Sequence, residues 1–229
     1  PGAVATPGPT LHERLVASGL PVATPPGHGP DRLEAAGWSE LIEEATTGEI
    51  AFPNGGLRLS LTPAMTLFDV DGVVPPADLA CAGAAAAART IRRMDIGGSI
   101  GIDLPTVAAK ADRLATAEAF DALLPQPFER TAVNGFGFLQ IVRRRPRASL
   151  PELLREDPAA SAARALLRRA ERTPGPGPRR LVAAPTVIAV IAARPDWLAL
   201  LERRLGATVA LQADPALAIG SGHVHALQT

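Results

Sequence analysis

The most constraining feature of this chain is an apolar run, an alanine-rich stretch and a second apolar run in direct succession. Met65–Val70 carries Leu67, Phe68 and Val70. After Pro75-Pro76 comes an alanine-rich segment from Asp78 to about Met94, closed by Gly97-Gly98, and then Ser99–Asp103 holds Ile100 and Ile102. Short apolar runs bounded by breakers predict strands, and the long Ala-rich segment between them predicts a helix. Its late arginines, Arg89, Arg92 and Arg93, suit the negative end of a helix dipole. Strand, helix, strand in that order predicts two parallel neighbours joined by a right-handed crossover.

Around this unit the pattern predicts further elements. Residues 1–30 read as proline- and glycine-rich loop with a short helix near Leu11–Ser18, and Asp31 is placed to cap a helix to about Thr46. Pro53-Asn54-Gly55-Gly56 is a turn signal, and Leu57, Leu59 and Leu61 alternate with Arg58 and Ser60 as in a half-buried strand. That strand and Met65–Val70 predict a hairpin. A helix near Val107–Leu123 and strands near Arg130–Val133 and Phe138–Arg143 follow. Leu150–Arg172 reads as one helix and Thr173–Pro178 as a flexible joint. The last fifty residues read as a strand, a helix around Trp197–Leu205 and strands near Thr208–Gln212 and His223–Ala226. The expected class is α+β or mixed α/β, a layered mixed sheet with flanking helices plus a small C-terminal α+β subdomain. It divides as residues 1–47 (loop and helix), 48–157 (the domain of the mixed sheet) and 158–229 (helical connector and subdomain).

Composition limits the functions open to such a fold. The 229 residues are 47% apolar, enough for a real core, and carry 23 basic and 23 acidic side chains. Any basic surface must therefore be local, and the most basic stretch is Arg143-Arg144-Arg145-Pro146-Arg147. One cysteine, Cys81, excludes an intramolecular disulfide and a cysteine-built zinc site within one chain; on an alanine-rich helix it reads as a small buried hydrophobe. No apolar run reaches the roughly 18 residues that span a bilayer, and no signal peptide is recognisable, so the expectation is a soluble cytoplasmic protein without a membrane partner.

Asp69 and Asp103 end the two apolar strands, and Asp71 shares the Asp69 side by the period of two. Parallel neighbours would bring Asp69 and Asp103 to one sheet edge, where open α/β sheets bind ligands. Converging carboxylates repel one another unless a hard cation such as Mg²⁺ lies between them. The plainer alternative makes Asp71-Gly72 a turn and Asp103 a helix cap.

The stretch Gly48–Gly56, the run Leu61-Thr62-Pro63-Ala64-Met65-Thr66-Leu67-Phe68-Asp69-Val70-Asp71 and the run Arg92-Arg93-Met94-Asp95-Ile96-Gly97-Gly98-Ser99-Ile100-Gly101-Ile102-Asp103 resemble the catalytic region of the ribonuclease E/G family. Gly135–Ile141, Arg143–Leu150 and Ala213–Leu217 continue the similarity in order, covering roughly residues 31–226. The resemblance implies a catalytic core with a DNase-I-like region and cleavage of single-stranded RNA. It implies that Asp69 and Asp103 hold Mg²⁺ or Mn²⁺ as metal ligands and catalytic residues. Asp71 stands where the family has an asparagine, and an aspartate cannot donate a hydrogen bond as an amide does. Arg143, Arg144, Arg145 and Arg147 are the expected RNA phosphate contacts, although alternating arginines on a strand also suit a solvated face. Phe136 and Phe138 can stack a base, but aromatics are scarce and the core has first claim on them. The inserted oligonucleotide-binding barrel and the zinc-link cysteines of the family are missing, so no zinc and no zinc-linked dimer are expected. His223 and His225 lack a third ligand nearby and read as structural or surface residues.

Two other functions remain open. One is a non-catalytic RNA-binding remnant of the same fold. The other is a haloacid dehalogenase-like phosphatase, which Phe68-Asp69-Val70-Asp71-Gly72-Val73-Val74 also resembles, with Asp69 as nucleophile and Asp71 as general acid/base. That family needs a Ser/Thr-ended strand, a distant lysine and an acidic pair that holds magnesium; Lys110 is the only lysine and no Asp-Asp or Gly-Asp pair follows it.

Overall fold

A computed structural model describes residues 11–23 and 29–227. The loop expected over residues 1–10 and the Pro25-Pro26-Gly27 segment lie outside them. The protein is mixed α/β, with a six-stranded mixed sheet and a separate three-stranded sheet.

Helix α1 (Leu11–Ala17) is followed by a single 3₁₀ turn, Glu34–Ala36, and by α2 (Trp38–Thr47). The helix expected from Asp31 to Thr46 is thus interrupted. Gly37 takes φ 82°, a left-handed conformation that ends one helical path and starts another, and the Asp31 carboxylate caps only the first turn, accepting from Leu33 and Glu34 N–H at 3.1 Å. Strands β1 (Glu49–Phe52) and β2 (Gly55–Leu61) form a tight hairpin across Pro53-Asn54, where Asn54 takes φ 67°. β1 is an addition to the strands expected. β3 (Thr66–Gly72) returns antiparallel to β2, and Thr62 Oγ1 closes the turn onto the Met65 carbonyl at 2.7 Å.

Pro75-Pro76 start α3 (Pro76–Arg93), which leads to β4 (Gly98–Asp103) lying parallel to β3, as the breaker pattern predicts. After α4 (Lys110–Asp121) come the two-residue β5 (Glu129–Arg130) and β6 (Phe138–Arg143), so the strand order is β1-β2-β3-β4-β6-β5 with β3–β4 as the parallel pair. Alternation sorts the sheet into two faces. Leu57, Leu59, Phe68, Val70, Ile100, Ile102, Leu139 and Ile141 are buried in one core with Ala84, Ala87, Ile91 and Phe120 of α3 and α4. Each large side chain removed from water in this way contributes about 1.5–3 kcal/mol. On the opposite face Arg58, Ser60, Asp69, Asp71, Asp103, Gln140 and Val142 are exposed.

The expected helix over Leu150–Arg172 is two helices, α5 (Leu150–Glu156) and α6 (Pro158–Arg172). Pro158 has no N–H to continue α5, and Asp157 caps α6 by accepting from Ala160 N–H at 2.9 Å. Then β7 (Arg179–Ala183), α7 (Pro185–Ala192), α8 (Pro195–Leu205), β8 (Val209–Ala213) and β9 (His223–Ala226) build the second sheet, ordered β8-β7-β9. Leu166 and Ala170 of α6, Leu181 of β7, Val187 and Ile191 of α7 and Leu201 of α8 form a second core. The Arg168–Asp31 ion pair at 2.6 Å ties α6 to the segment before α2. Among the described residues no helix is long and apolar enough to cross a membrane.

The Thr173–Pro178 joint is organised rather than loose. Arg179 is only 3% exposed, and its guanidinium donates to the carbonyls of Thr173, Gly175, Pro176 and Gly177. Three prolines remove the N–H groups that regular structure would use, which leaves the loop carbonyls to accept from one buried arginine.

Candidate active site on an open sheet face

Asp69 and Asp103 are direct register partners on β3 and β4. Paired positions of neighbouring strands point to one face, and neighbouring strands lie about 4.8 Å apart, so the two exposed carboxylates stand side by side. Asp103 ends β4 and the parallel ladder ends at this pair, but β3 runs on to Gly72 against β2, so Asp69, expected at a strand end, lies within its strand on the open face. Both plainer alternatives fail on position. Asp71 lies within β3 rather than in a turn, and the residue preceding α4 is Ala109, six residues after Asp103, with no side-chain cap.

The pair belongs to a row across five strands. Register partners run Glu49, Arg58, Asp69, Asp103, Phe138 from β1 to β6. Arg58 bonds Glu49 at 3.2 Å and neighbours Asp69, placing one cation beside the acid pair. Sequence alternation marks Arg58 as merely outward-facing; its neighbour is visible only once β2 and β3 are paired. Asp71, opposite Gly56, lies on the same face one step further along β3, past the end of β4.

Phe136 lies in the turn that leads into β6, and it is 85% exposed rather than packed in the core. Asn134 builds that turn, its Oδ1 accepting from the N–H groups of Phe136 at 2.9 Å and Phe138 at 3.0 Å. Gly137 takes φ 92° beneath the Leu104 carbonyl, where a Cβ would overlap it, and Leu104 N–H donates to the Gly137 carbonyl at 3.1 Å. Thr106 Oγ1 donates to the Phe136 carbonyl at 3.2 Å. The exposed aromatic is therefore fastened next to the residues that follow Asp103. Phe138 is half-buried, its ring against Gly101, where a Cβ would come within 2.6 Å of Phe138 Cζ and 2.8 Å of Leu67 Cδ2.

The arginine run sits elsewhere. β6 runs antiparallel to β4, pairing Phe138 with Asp103 and Arg143 with Gly98, so Arg143–Arg147 lies at the far end of β4, about 16 Å from the acid pair at strand rise. Arg143 and Arg147 both grip Asp95, at 3.2 and 2.7 Å, and Arg145 grips Glu152 at 2.8 Å. Burial pushes the Asp95 carboxyl up, but the hydrogen bonds from Arg143 and Arg147 outweigh it and hold it below the ordinary aspartate range. Arg144 is exposed and makes no ion pair among the described residues. Asp95 and Glu152 are the residues that spacing alone did not reveal.

Among the described residues no group of three or more His, Cys, Asp or Glu is placed to hold a metal, and the two carboxylates that register brings side by side on this face are Asp69 and Asp103. A hard divalent cation fits that donor set, because Mg²⁺ commonly takes one or two carboxylates and fills its remaining positions with water and phosphate oxygens. The rings of His223 and His225 meet edge to face at 4.8 Å between centroids on β9. Cys81 is half-buried, its sulfur 3.5 Å from Thr116 Oγ1. No protein-family model matches the chain, and no curated protein matches it.

Proposed function

We propose that this chain is a magnesium-dependent endoribonuclease of the ribonuclease E/G type, with a DNase-I-like region, acting on single-stranded RNA in the cytoplasm. The register pairing of Asp69 with Asp103 on an open face carries the proposal. Two adjacent exposed carboxylates where the parallel β3–β4 ladder ends are suited to one shared Mg²⁺ (or Mn²⁺), and the open face leaves room for an extended polymer. The cation, when bound, supplies charge neutralisation and water activation. Asp69 and Asp103 hold and orient it. Asp71 accepts a proton or hydrogen bond where an amide would donate one. Phe136 offers a ring on which an unpaired base stacks, and Arg58 offers a guanidinium beside the acid pair.

The arginines favour a second reading, a non-catalytic remnant of the same fold with a reduced RNA-binding surface. Arg143, Arg145 and Arg147 are engaged by Asp95 and Glu152 at the far end of β4, which weakens the phosphate grip the catalytic reading assigns them. One experiment separates the two: cleavage of end-labelled single-stranded RNA with Mg²⁺ or EDTA, beside Asp69→Ala and Asp103→Asn. Metal-dependent cleavage reduced by about 10²-fold or more in both variants supports the nuclease. RNA binding with no cleavage supports the remnant. Turnover of p-nitrophenyl phosphate in place of RNA would sink both.

A further inference from the structure

A groove of about 270 Å³ lies between α6 and α8, remote in sequence from the acid pair and lined by Arg164, Arg168, Glu171, Trp197, Leu200 and Arg204 among others. The chain has two tryptophans, and each carries arginine on its ring. Arg164 and Arg194 place their guanidinium carbons 5.6 and 5.0 Å from the Trp197 centroid, and Arg168 stands 5.3 Å from that of Trp38. The arginines are not equivalent. Arg168 is neutralised by Asp31 at 2.6 Å and Arg204 by Glu171 at 3.1 Å. Arg164 and Arg194 are exposed and have no acidic partner among the described residues.

Stacking on an indole uses the flat face of a guanidinium and leaves its N–H fork at the edge, pre-oriented for an anion. Two such forks share one tryptophan: Arg164 lines the groove together with Trp197 and with Leu200, which is 40% exposed, while Arg194 stands on the Trp197 ring outside that lining. With 23 acidic and 23 basic residues in the chain, a local excess of this kind is not a by-product of overall charge. We infer that the α6–α8 groove and the Trp197 ring beside it are an anchoring site for single-stranded RNA, with successive phosphates on Arg164 and Arg194 and the sugar-base portion on the apolar lining of the groove. A carboxylate-rich peptide meets the charges but leaves the apolar lining uncovered, whereas a nucleotide covers both. The inference rests on the proposed action on RNA and adds to it a second contact surface, far along the chain from Asp69 and Asp103.

The test is anisotropy of a labelled 15-nucleotide RNA in EDTA, so that cleavage plays no part, repeated over a salt series. The Arg164→Ala/Arg194→Ala double variant is expected to bind about tenfold more weakly, and its log–log salt slope to shrink by about 1.4, the share of two phosphates on a single strand. Both positions are exposed, and a circular dichroism melt matching wild type confirms the fold. Tryptophan emission of the wild type is expected to fall on RNA addition, and that change to disappear in Trp197→Phe. Unchanged affinity and slope in the double variant would overturn the site, as would wild type that fails to bind RNA. Displacement of RNA by an equal concentration of polyglutamate would reassign the groove to an acidic protein. Failure of the nuclease proposal reads differently: wild type never cleaves with Mg²⁺, yet the arginine variant still loses binding.

Discussion

Asp95 shows how much one residue can redirect at the scale of single side chains. It takes a left-handed φ of 50° just after α3 and holds Arg143 and Arg147 together. Asp95→Asn keeps a residue that tolerates this conformation while removing the charge. The expected loss is about 1 kcal/mol at neutral pH, modest because Arg147 is well exposed. The sign follows from linkage. The folded carboxyl titrates lower than the unfolded one, so its contribution is complete above the unfolded aspartate range and fades as pH falls through the lower folded value. Urea melts of both proteins between pH 2 and 7 check this: the difference should shrink toward acid, and a constant difference would contradict it. The arginine run is conspicuous in the sequence as a basic patch, whereas Asp95, the partner of Arg143 and Arg147, is close to it only in space. The same holds for Phe136, whose exposure is set by the Asn134 turn and not by its hydrophobicity.

At the scale of elements, α3 comes unusually close to β3 because Gly83 has no side chain. A Cβ there would collide with the side chain of Val70, which is fully committed to the core. Gly83→Ala therefore sets two effects against each other. Alanine gains about 1 kcal/mol of helix propensity, while overpacking costs about 1–3 kcal/mol. Net destabilisation is expected, read as a lower denaturant midpoint; a stabilised variant would show that α3 shifts freely. Strand and helix existence was largely legible from alternation and breakers, and the β3-α3-β4 unit follows them closely. Helix continuity was less so. The pattern ran through Gly37 and Pro158 because the apolar spacing on either side resembles one helix, while the actual breaks were decided by one backbone conformation and one missing donor. α7 went unrecognised as a separate helix: its Val-Ile-rich run suits strand or helix alike until packing against Leu166 and Leu181 decides.

For the whole molecule, the two cores depend on apolar burial and the second also on a buried cation. Arg179→Ala would strand several loop carbonyls away from their donor and is expected to destabilise by about 2–4 kcal/mol. Arg179→Lys should recover only part of this, since an ammonium cannot reproduce the planar fork. Thermal melts of both variants check the order. Metal stripping should act oppositely: Asp69 and Asp103 are exposed and take no part in either core, so a chelator is expected to stop RNA cleavage and leave the circular dichroism spectrum intact. Collapse of the spectrum would make the metal structural.

By itself the sequence determined what is local: where strands alternate, where proline and glycine end an element, and that two apolar runs each carry an outward-facing aspartate near their end. Tertiary structure alone decided which strands became neighbours, in what register, and which charges found partners. A one-residue slip between β3 and β4 would leave every local preference satisfied yet put Asp69 and Asp103 on opposite faces. Their meeting depends on the buried layer of Phe68, Ile100, Ile102 and Leu139, whose packing against α3 and α4 selects one register from several that the strands alone allow.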